Sequence, residues 1–279
     1  ITGVDAEHGW AVGEETLLAT ADGGESWRPA GEPPDPLVDV QFISADRGWG
    51  TTRSGTVAVT TDGGGHWASQ NVPGRADTIC FANPSQGWAA GQSRVMATSD
   101  AGRHWRLAYS LPSIETDQFA TGHCKGNAVW ILFRGSGAVS KQNYTLMRSD
   151  LGTGRWTVLA HNTGFAPESS LPGFTGDRGI GDYAGPFTVI DARVALLIGQ
   201  CLACAPTTQS LVVANVDGPW AGGRIPALDG TEADFAISPT FVDRDHGWVV
   251  TTRMEDQRSL IAATSDGGRT WDLLPTPGP

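Results

Sequence analysis

The sequence predicts an all-β fold, a six-bladed β-propeller of four-stranded antiparallel blades, and three observations predict it. The first is an octapeptide, Thr-x-Asp-x-Gly-x-x-Trp, that occurs at Thr20 to Trp27, Thr60 to Trp67, Thr98 to Trp105 and Thr264 to Trp271. Eroded copies end at Trp156 and Trp220. The second is the spacing of the aspartates in these boxes. Asp22, Asp62, Asp100, Asp150, Asp217 and Asp266 lie 40, 38, 50, 67 and 49 residues apart, a repeat length that fits one four-stranded sheet per unit, stacked radially. The third is the placement of the other tryptophans. Trp10, Trp49, Trp88 and Trp248 each follow a Gly upstream of a box, and Trp130 takes the same place in the fourth unit.

The second unit shows each element in order. Leu37 to Phe42 (LVDVQF) alternates in polarity and reads as a first strand. Ala45-Asp-Arg-Gly48 supplies turn residues, Trp49 to Thr52 a second strand and Thr56 to Thr60 a third. Asp62-Gly-Gly64 is the next turn, and His66 to Val72 the fourth strand. The box is turn chemistry: its Asp can accept backbone N–H bonds across a tight loop, and its Thr hydroxyl can do the same. Its Gly supplies the positive φ that other residues resist. Its Trp (Trp27, Trp67, Trp105 or Trp271) covers the turn with an apolar face and an N–H that needs a partner.

Six blades follow, at about 1–30, 31–72, 73–110, 111–160, 161–226 and 227–279, within one domain, a size that all-β folds reach. The 67-residue gap before Asp217 has room for a further strand pair, which leaves seven blades as the alternative. The 37 Gly and 17 Pro suit short strands and many turns. No run of eighteen apolar residues is present, so no membrane-spanning helix is expected. The chain opens at Ile1 inside an expected first strand, so a signal peptide, lipoprotein tether or anchor is expected upstream. A net charge of −11 argues against nucleic-acid binding, which needs a basic footprint. Arginine far outnumbers lysine, whose two copies are Lys125 and Lys141, and this reads as a GC-rich, bacterial genome.

Cys80 falls in the first strand of the third unit and Cys124 near the same place in the fourth, so a Cys80–Cys124 bridge between neighbouring blades is expected. Cys201-Leu-Ala-Cys204 reads as a small disulfide clip within a loop, with a redox pair or half a zinc site as rival readings. Two disulfides place the chain in an oxidising, extracytoplasmic compartment, secreted or attached to the cell envelope.

The box pattern resembles the Asp-box (bacterial neuraminidase repeat) family of β-propellers, and the resemblance covers almost the whole chain. That family includes sialidases, sortilin-type receptors, some glycanases and photosystem II assembly-factor propellers; the Gly-Trp pair ahead of each box makes the last the nearest in texture. The resemblance implies that the boxes lie between third and fourth strands, away from the functional face, and that they mark fold rather than activity.

The opposite face then carries the loops between second and third strands and between blades. The long ones cluster late in the chain: 134–143, 161–185, 200–208 and 253–258. Four or five residues beyond a second-strand Trp stand Arg53, Arg134 and Arg253, with Glu14, Gln92 and Gln200 in the other units. Three guanidiniums on one mouth would bind carboxylate or phosphate bidentately; the alternative is three solvated or locally paired arginines. The 161–185 insertion adds Asp182 and Tyr183, which could serve glycoside chemistry or a nucleophile pair, against the alternative of an acidic solvated loop.

Sialidases carry a Phe/Tyr-Arg-Ile-Pro motif near their start, whereas the Arg-Ile-Pro here is Arg224-Ile-Pro226, in the fifth unit after Gly. No residue matches a catalytic motif of the family. The expected function is therefore a non-catalytic, extracytoplasmic binding propeller for a protein or anionic ligand, with no metal or cofactor. A glycoside hydrolase of the sialidase class and a glycan-binding lectin are the alternatives.

Overall fold

The computed structural model describes residues 1–13, 16–111, 119–138, 141–150, 153–162, 180–181, 183–201, 208–225, 234–253 and 259–274. These form six four-stranded antiparallel sheets, each built from four strands consecutive in the chain, and no helix occurs among the described residues. This is the blade set of a six-bladed β-propeller. The first sheet holds β1 (Thr2–Gly3), β2 (Gly9–Val12), β3 (Leu17–Thr20) and β4 (Arg28–Pro29). The second holds β5 (Leu37–Phe42), β6 (Gly48–Thr52), β7 (Val57–Thr60) and β8 (Ala68–Gln70), within a residue or two of the expected strands. The third holds β9 (Thr78–Phe81), β10 (Gly87–Gly91), β11 (Arg94–Thr98) and β12 (Arg106–Ser110). The fourth holds β13 (Phe119–Lys125), β14 (Ala128–Ala138), β15 (Lys141–Asp150) and β16 (Trp156–Asn162). The fifth holds β17 (Tyr183–Asp191), β18 (Val194–Cys201), β19 (Thr208–Asn215) and β20 (Ala221–Ile225). The sixth holds β21 (Asp234–Phe241), β22 (Gly247–Arg253), β23 (Ser259–Thr264) and β24 (Asp272–Leu273).

The chain divides into two compact units, Ile1–Phe133 with Leu151–Trp156, and Arg134–Asp150 with Thr157–Pro279. Buried apolar clusters in the first gather Trp10, Leu17, Leu37 and Phe42, and separately Trp49, Val57, Ile79 and Phe81. In the second, Leu196, Ile198, Leu211, Ile225, Val249 and Ala262 form another.

The boxes fold as their residues dictate. In the second, Thr60 Oγ1 donates to Asp62 Oδ1 (2.9 Å) and accepts from the Gly64 N–H (2.9 Å), while Asp62 Oδ1 accepts from the His66 N–H (2.8 Å). The first, third and sixth boxes repeat all three bonds. Gly64, at φ +95°, turns the chain. Each turn also docks on the hairpin between the first and second strands, as when Gly63 N–H donates to Asp46 C=O (2.8 Å). In the eroded fifth copy Asn215 replaces Thr, and its Oδ1 accepts the Asp217 N–H (3.1 Å).

The tryptophans divide their labour differently from the simplest expectation. The box tryptophans are only half-buried, and Trp27 is 38% exposed; the deepest are the upstream residues Trp10, Trp49 and Trp130. The reason lies in a phenylalanine at the end of the first strand. Phe42, Phe81 and Phe241 pair directly across from Gly48, Gly87 and Gly247. Each ring lies over its glycine so closely that a Cβ there would come within 2.4–2.6 Å of it. The Gly of the Gly-Trp pair is thus the floor for the Phe ring. The Trp beside it reaches the next sheet: Trp10 stacks on Phe42 (3.5 Å) and Trp49 on Phe81 (3.7 Å). Their indole N–H groups donate to Gly63 C=O (2.9 Å) and Ala101 C=O (3.5 Å), within the next sheet's box. The box Trp then meets the same Phe edge-on, at 6.1 Å for Trp67 and 6.3 Å for Trp105. One Phe ring therefore joins two sheets.

Candidate functional site

The first strand of each sheet is an edge strand. In the first unit the edges β1, β5, β9 and β13 border a cavity of about 640 Å³, lined by Ile1–Gly3, Val38–Phe42, Asp77–Cys80 and Ala120–Lys125. Edge strands leave backbone groups unpaired and invite foreign strands. Here side chains of neighbouring strands take up several of them. The Gln41 amide donates to Phe81 C=O (2.9 Å) and accepts from the Phe81 N–H. Asp77 Oδ2 accepts the Ala120 N–H (3.2 Å), and Thr78 Oγ1 accepts the Gly122 N–H (3.1 Å). The Cys80–Cys124 disulfide, expected between neighbouring blades, ties β9 to β13 on the same wall. These bonds take up the Phe81 N–H and C=O and the Ala120 and Gly122 N–H groups.

Its chemistry is polar and of mixed sign. Asp39, which lines the cavity, accepts from Thr78 Oγ1 (3.2 Å), yet desolvation dominates and pushes its carboxyl up to about 6. Asp77 also pairs with Arg75 Nε (2.8 Å). His123 and Lys125 stand on β13. Such a site presents carboxyl, hydroxyl and ammonium groups on a fixed frame. The sequence hid it, because no two of its aspartates, threonines or glutamine belong to one motif; only strand order brings them together.

Arg53, Arg134 and Tyr183 do not line this cavity. Arg53 follows β6 in the first unit, exposed, in a turn where its N–H donates to Pro36 C=O (2.8 Å) and Asp35 caps the Ser54 N–H (2.8 Å). Arg134 and Arg253 belong to the second unit. Arg134 is not in a loop, as its alignment implied, but inside β14, half-buried, where desolvation lowers its pKa. The reason is that the Gly- and Ser-rich 134–143 stretch is mostly taken up by β14 and β15, which satisfy each other's backbone groups. Arg253 closes β22, and its side chain lies outside the described residues. Tyr183 opens β17, half-buried, opposite Gln200, while Asp182 lies outside the described residues. Cys201 ends β18, and Cys204 also lies outside them, as does most of the 161–185 insertion. Among the described residues no group of His, Cys, Asp and Glu is arranged to hold a metal ion.

The sequence model of the family described as photosynthesis system II assembly factor YCF48 matches residues 32–123. The fold is similar to a solved structure of YCF48 bound to D1 peptide (TM-score 0.66, 16% identity, covering 97% of this chain and 80% of that one). It is equally similar to YCF48 from Cyanidioschyzon merolae (TM-score 0.66, 18% identity, 99% and 83%). An ancestral GH74 enzyme shares the fold at TM-score 0.62 and 13% identity, over 94% of this chain but 35% of the enzyme. No curated protein matches the sequence. The boxes, the six sheets and these likenesses together show a β-propeller fold with BNR-type repeats.

Proposed function

We propose that this is a non-catalytic propeller that binds a protein partner, and that the cavity along the edge strands of the first unit takes part of that partner. The observation that carries the reading is the cavity itself: about 640 Å³, walled by four edge strands of which β5, β9 and β13 are already tied together by side-chain bonds. A frame that does not have to order itself on binding loses little affinity to entropy. The likeness to YCF48 bound to D1 peptide supports a polypeptide as the guest. Arg53, Arg134 and Arg253 are proposed as additional contacts for anionic groups of the partner. The Cys80–Cys124 bond supports an oxidising, extracytoplasmic setting.

The test is a peptide array probed with the whole chain and with Val38→Arg. Val38 is 50% exposed and lines the cavity, so the substitution obstructs the space without disturbing the core. Captured peptides should lose at least tenfold in affinity, with the unfolding midpoint unchanged. Failure to capture any peptide, or capture indifferent to Val38→Arg, would overturn the reading. Arg53→Ala combined with Arg253→Ala tests the arginines separately: unchanged affinity for acidic peptides removes them.

A hydrolytic reading draws on one observation, the raised carboxyl of Asp39, since a general acid of a glycosidase needs such a shift. Turnover of a fluorogenic sialoside, abolished by Asp39→Asn, would establish it in place of the binding role.

A further inference from the structure

The repeat fills its aromatic slot in some sheets and leaves it open in the first. In the second, third and sixth sheets a Phe lies opposite the Gly of Gly-Trp and meets the box Trp edge-on, at 6.1, 6.3 and 6.3 Å. In the first sheet the residue opposite Gly9 is Gly3, which brings no side chain. Its box tryptophan, Trp27, is accordingly 38% exposed. A cavity of about 170 Å³ stands where the ring would be, bordered by Gly3, Gly9, Thr20 and Trp27.

We propose that this open slot is a binding site for the phenylalanine side chain of a protein partner. The other sheets supply the template: a benzyl group resting on a glycine floor with its face or edge against tryptophan. The rim selects the partner's flanks. Asp5 and Glu7 border the same cavity, and Asp5 is held ionised by the His8 and Glu7 N–H groups that it accepts. A basic residue beside the Phe would meet this rim favourably. A second copy of the chain, with the same acidic rim and a net charge of −11, would be repelled. The slot also adjoins the edge-strand cavity, because Ile1, Thr2 and Gly3 border both. The inference rests on the protein-binding reading only in that a polypeptide carries the ring.

The experiment compares acetyl-Lys-Phe-Lys-amide with acetyl-Lys-Ala-Lys-amide on the whole, ¹⁵N-labelled chain. The Trp27 indole N–H resonance, assigned by its loss in Trp27→Phe, should move saturably with the first peptide and at least tenfold more weakly with the second. Gly3→Phe should fill the slot from within and abolish the response. A Cβ at Gly3 would meet only the His8 and Asp5 carbonyl oxygens, at 3.5 and 3.9 Å, which are ordinary contacts. Trp27→Ala, read by calorimetry, should weaken the Phe peptide at least tenfold and guards against a folding defect in Gly3→Phe. Equal responses to the two peptides, or a response that survives Gly3→Phe, overturn the proposal. So does a Trp27 shift that grows with protein concentration alone and tracks a dimer in sedimentation, which would assign the slot to a second copy. Loss of the slot while Val38→Arg still abolishes array binding would leave the wider protein-binding reading standing.

Discussion

At the scale of single residues, the repeat turns on a few backbone and contact constraints. Gly23, Gly63 and Gly267 hold φ values of +73° to +75° after the box Asp; the third box places Ala101 there, at +66°. An L-residue in that region is strained, and glycine is not. Ala101→Gly removes a left-handed penalty of about 1–2 kcal/mol and adds about 0.5–1 kcal/mol of chain entropy cost, so it should raise stability by about 0.5–1 kcal/mol in chemical denaturation. An unchanged or lowered midpoint would mean that the Ala101 methyl, which packs against the cluster that holds Trp49 and Phe81, contributes as much as the strain costs. The converse substitution is Gly48→Ala. Its Cβ would come within 2.6 Å of the Phe42 ring, an overpacking that should cost about 1–3 kcal/mol. Introduced into Phe42→Leu, the same change should cost measurably less, because the two residues share one contact.

At the scale of elements, the decisive bond is the one that leaves its own sheet. Trp10 Nε1 donates to Gly63 C=O from a buried position, whereas Trp67 Nε1 donates to Gly64 C=O within its own turn. Trp10→Phe removes the indole donor from the part-buried Gly63 carbonyl and should cost about 1–3 kcal/mol, whereas in Trp67→Phe the Gly64 carbonyl keeps the Gly31 N–H as donor (2.8 Å) and the cost should be about 0.5–1.5 kcal/mol. Equal losses would mean that the bond between sheets adds nothing beyond local turn chemistry. Removing the Cys80–Cys124 bridge, whose partners are 44 residues apart, should cost about 4 kcal/mol by the loop-entropy relation. These contrasts explain what was legible in the sequence. The box could be read because its bonds span at most four residues, from Thr60 to Gly64 and Asp62 to His66. The Cys80–Cys124 pairing could be read because the repeat puts both residues at matching places. The Phe42 sandwich could not be read from polarity, since its tryptophan partner is in another sheet, although Phe stands six residues before Gly-Trp in three units. The Asp39 cavity was less legible still, because its wall consists of strands that share only an edge.

At the scale of the whole molecule, two electrostatic effects oppose each other as pH falls. With a net charge of −11 and a pI near 4.9, protonation relieves self-repulsion and favours the compact state. Against this stand the box carboxylates. Asp62, Asp100 and Asp266 are held down to about 2, with hydrogen bonds from His66, His104 and Thr270 the leading cause, and Asp22 is lowered further by Ser26. Because their folded pKa lies below the unfolded value of about 3.9, the native state binds fewer protons; their stabilisation is present above about pH 4 and is lost as pH falls toward 2. Asp39 runs the other way. Its folded pKa of about 6 lies above the unfolded value, so its contribution is full below about pH 4 and is lost as pH rises through 6. The unfolding temperature should therefore rise modestly from pH 7 to about 5, then fall steeply below 4 as the boxes protonate. Asp39→Asn should raise stability at pH 7 by on the order of 2 kcal/mol and flatten the first limb. Added salt at 0.5 M screens surface repulsion but not a desolvated carboxyl, so the two causes of that limb separate: a rise erased by salt in the wild type belongs to net charge, and one erased only by Asp39→Asn belongs to the cavity. A profile that keeps climbing from pH 4 to 2 would show that relief of repulsion outweighs the boxes, and that the turns hold without their ionised aspartates.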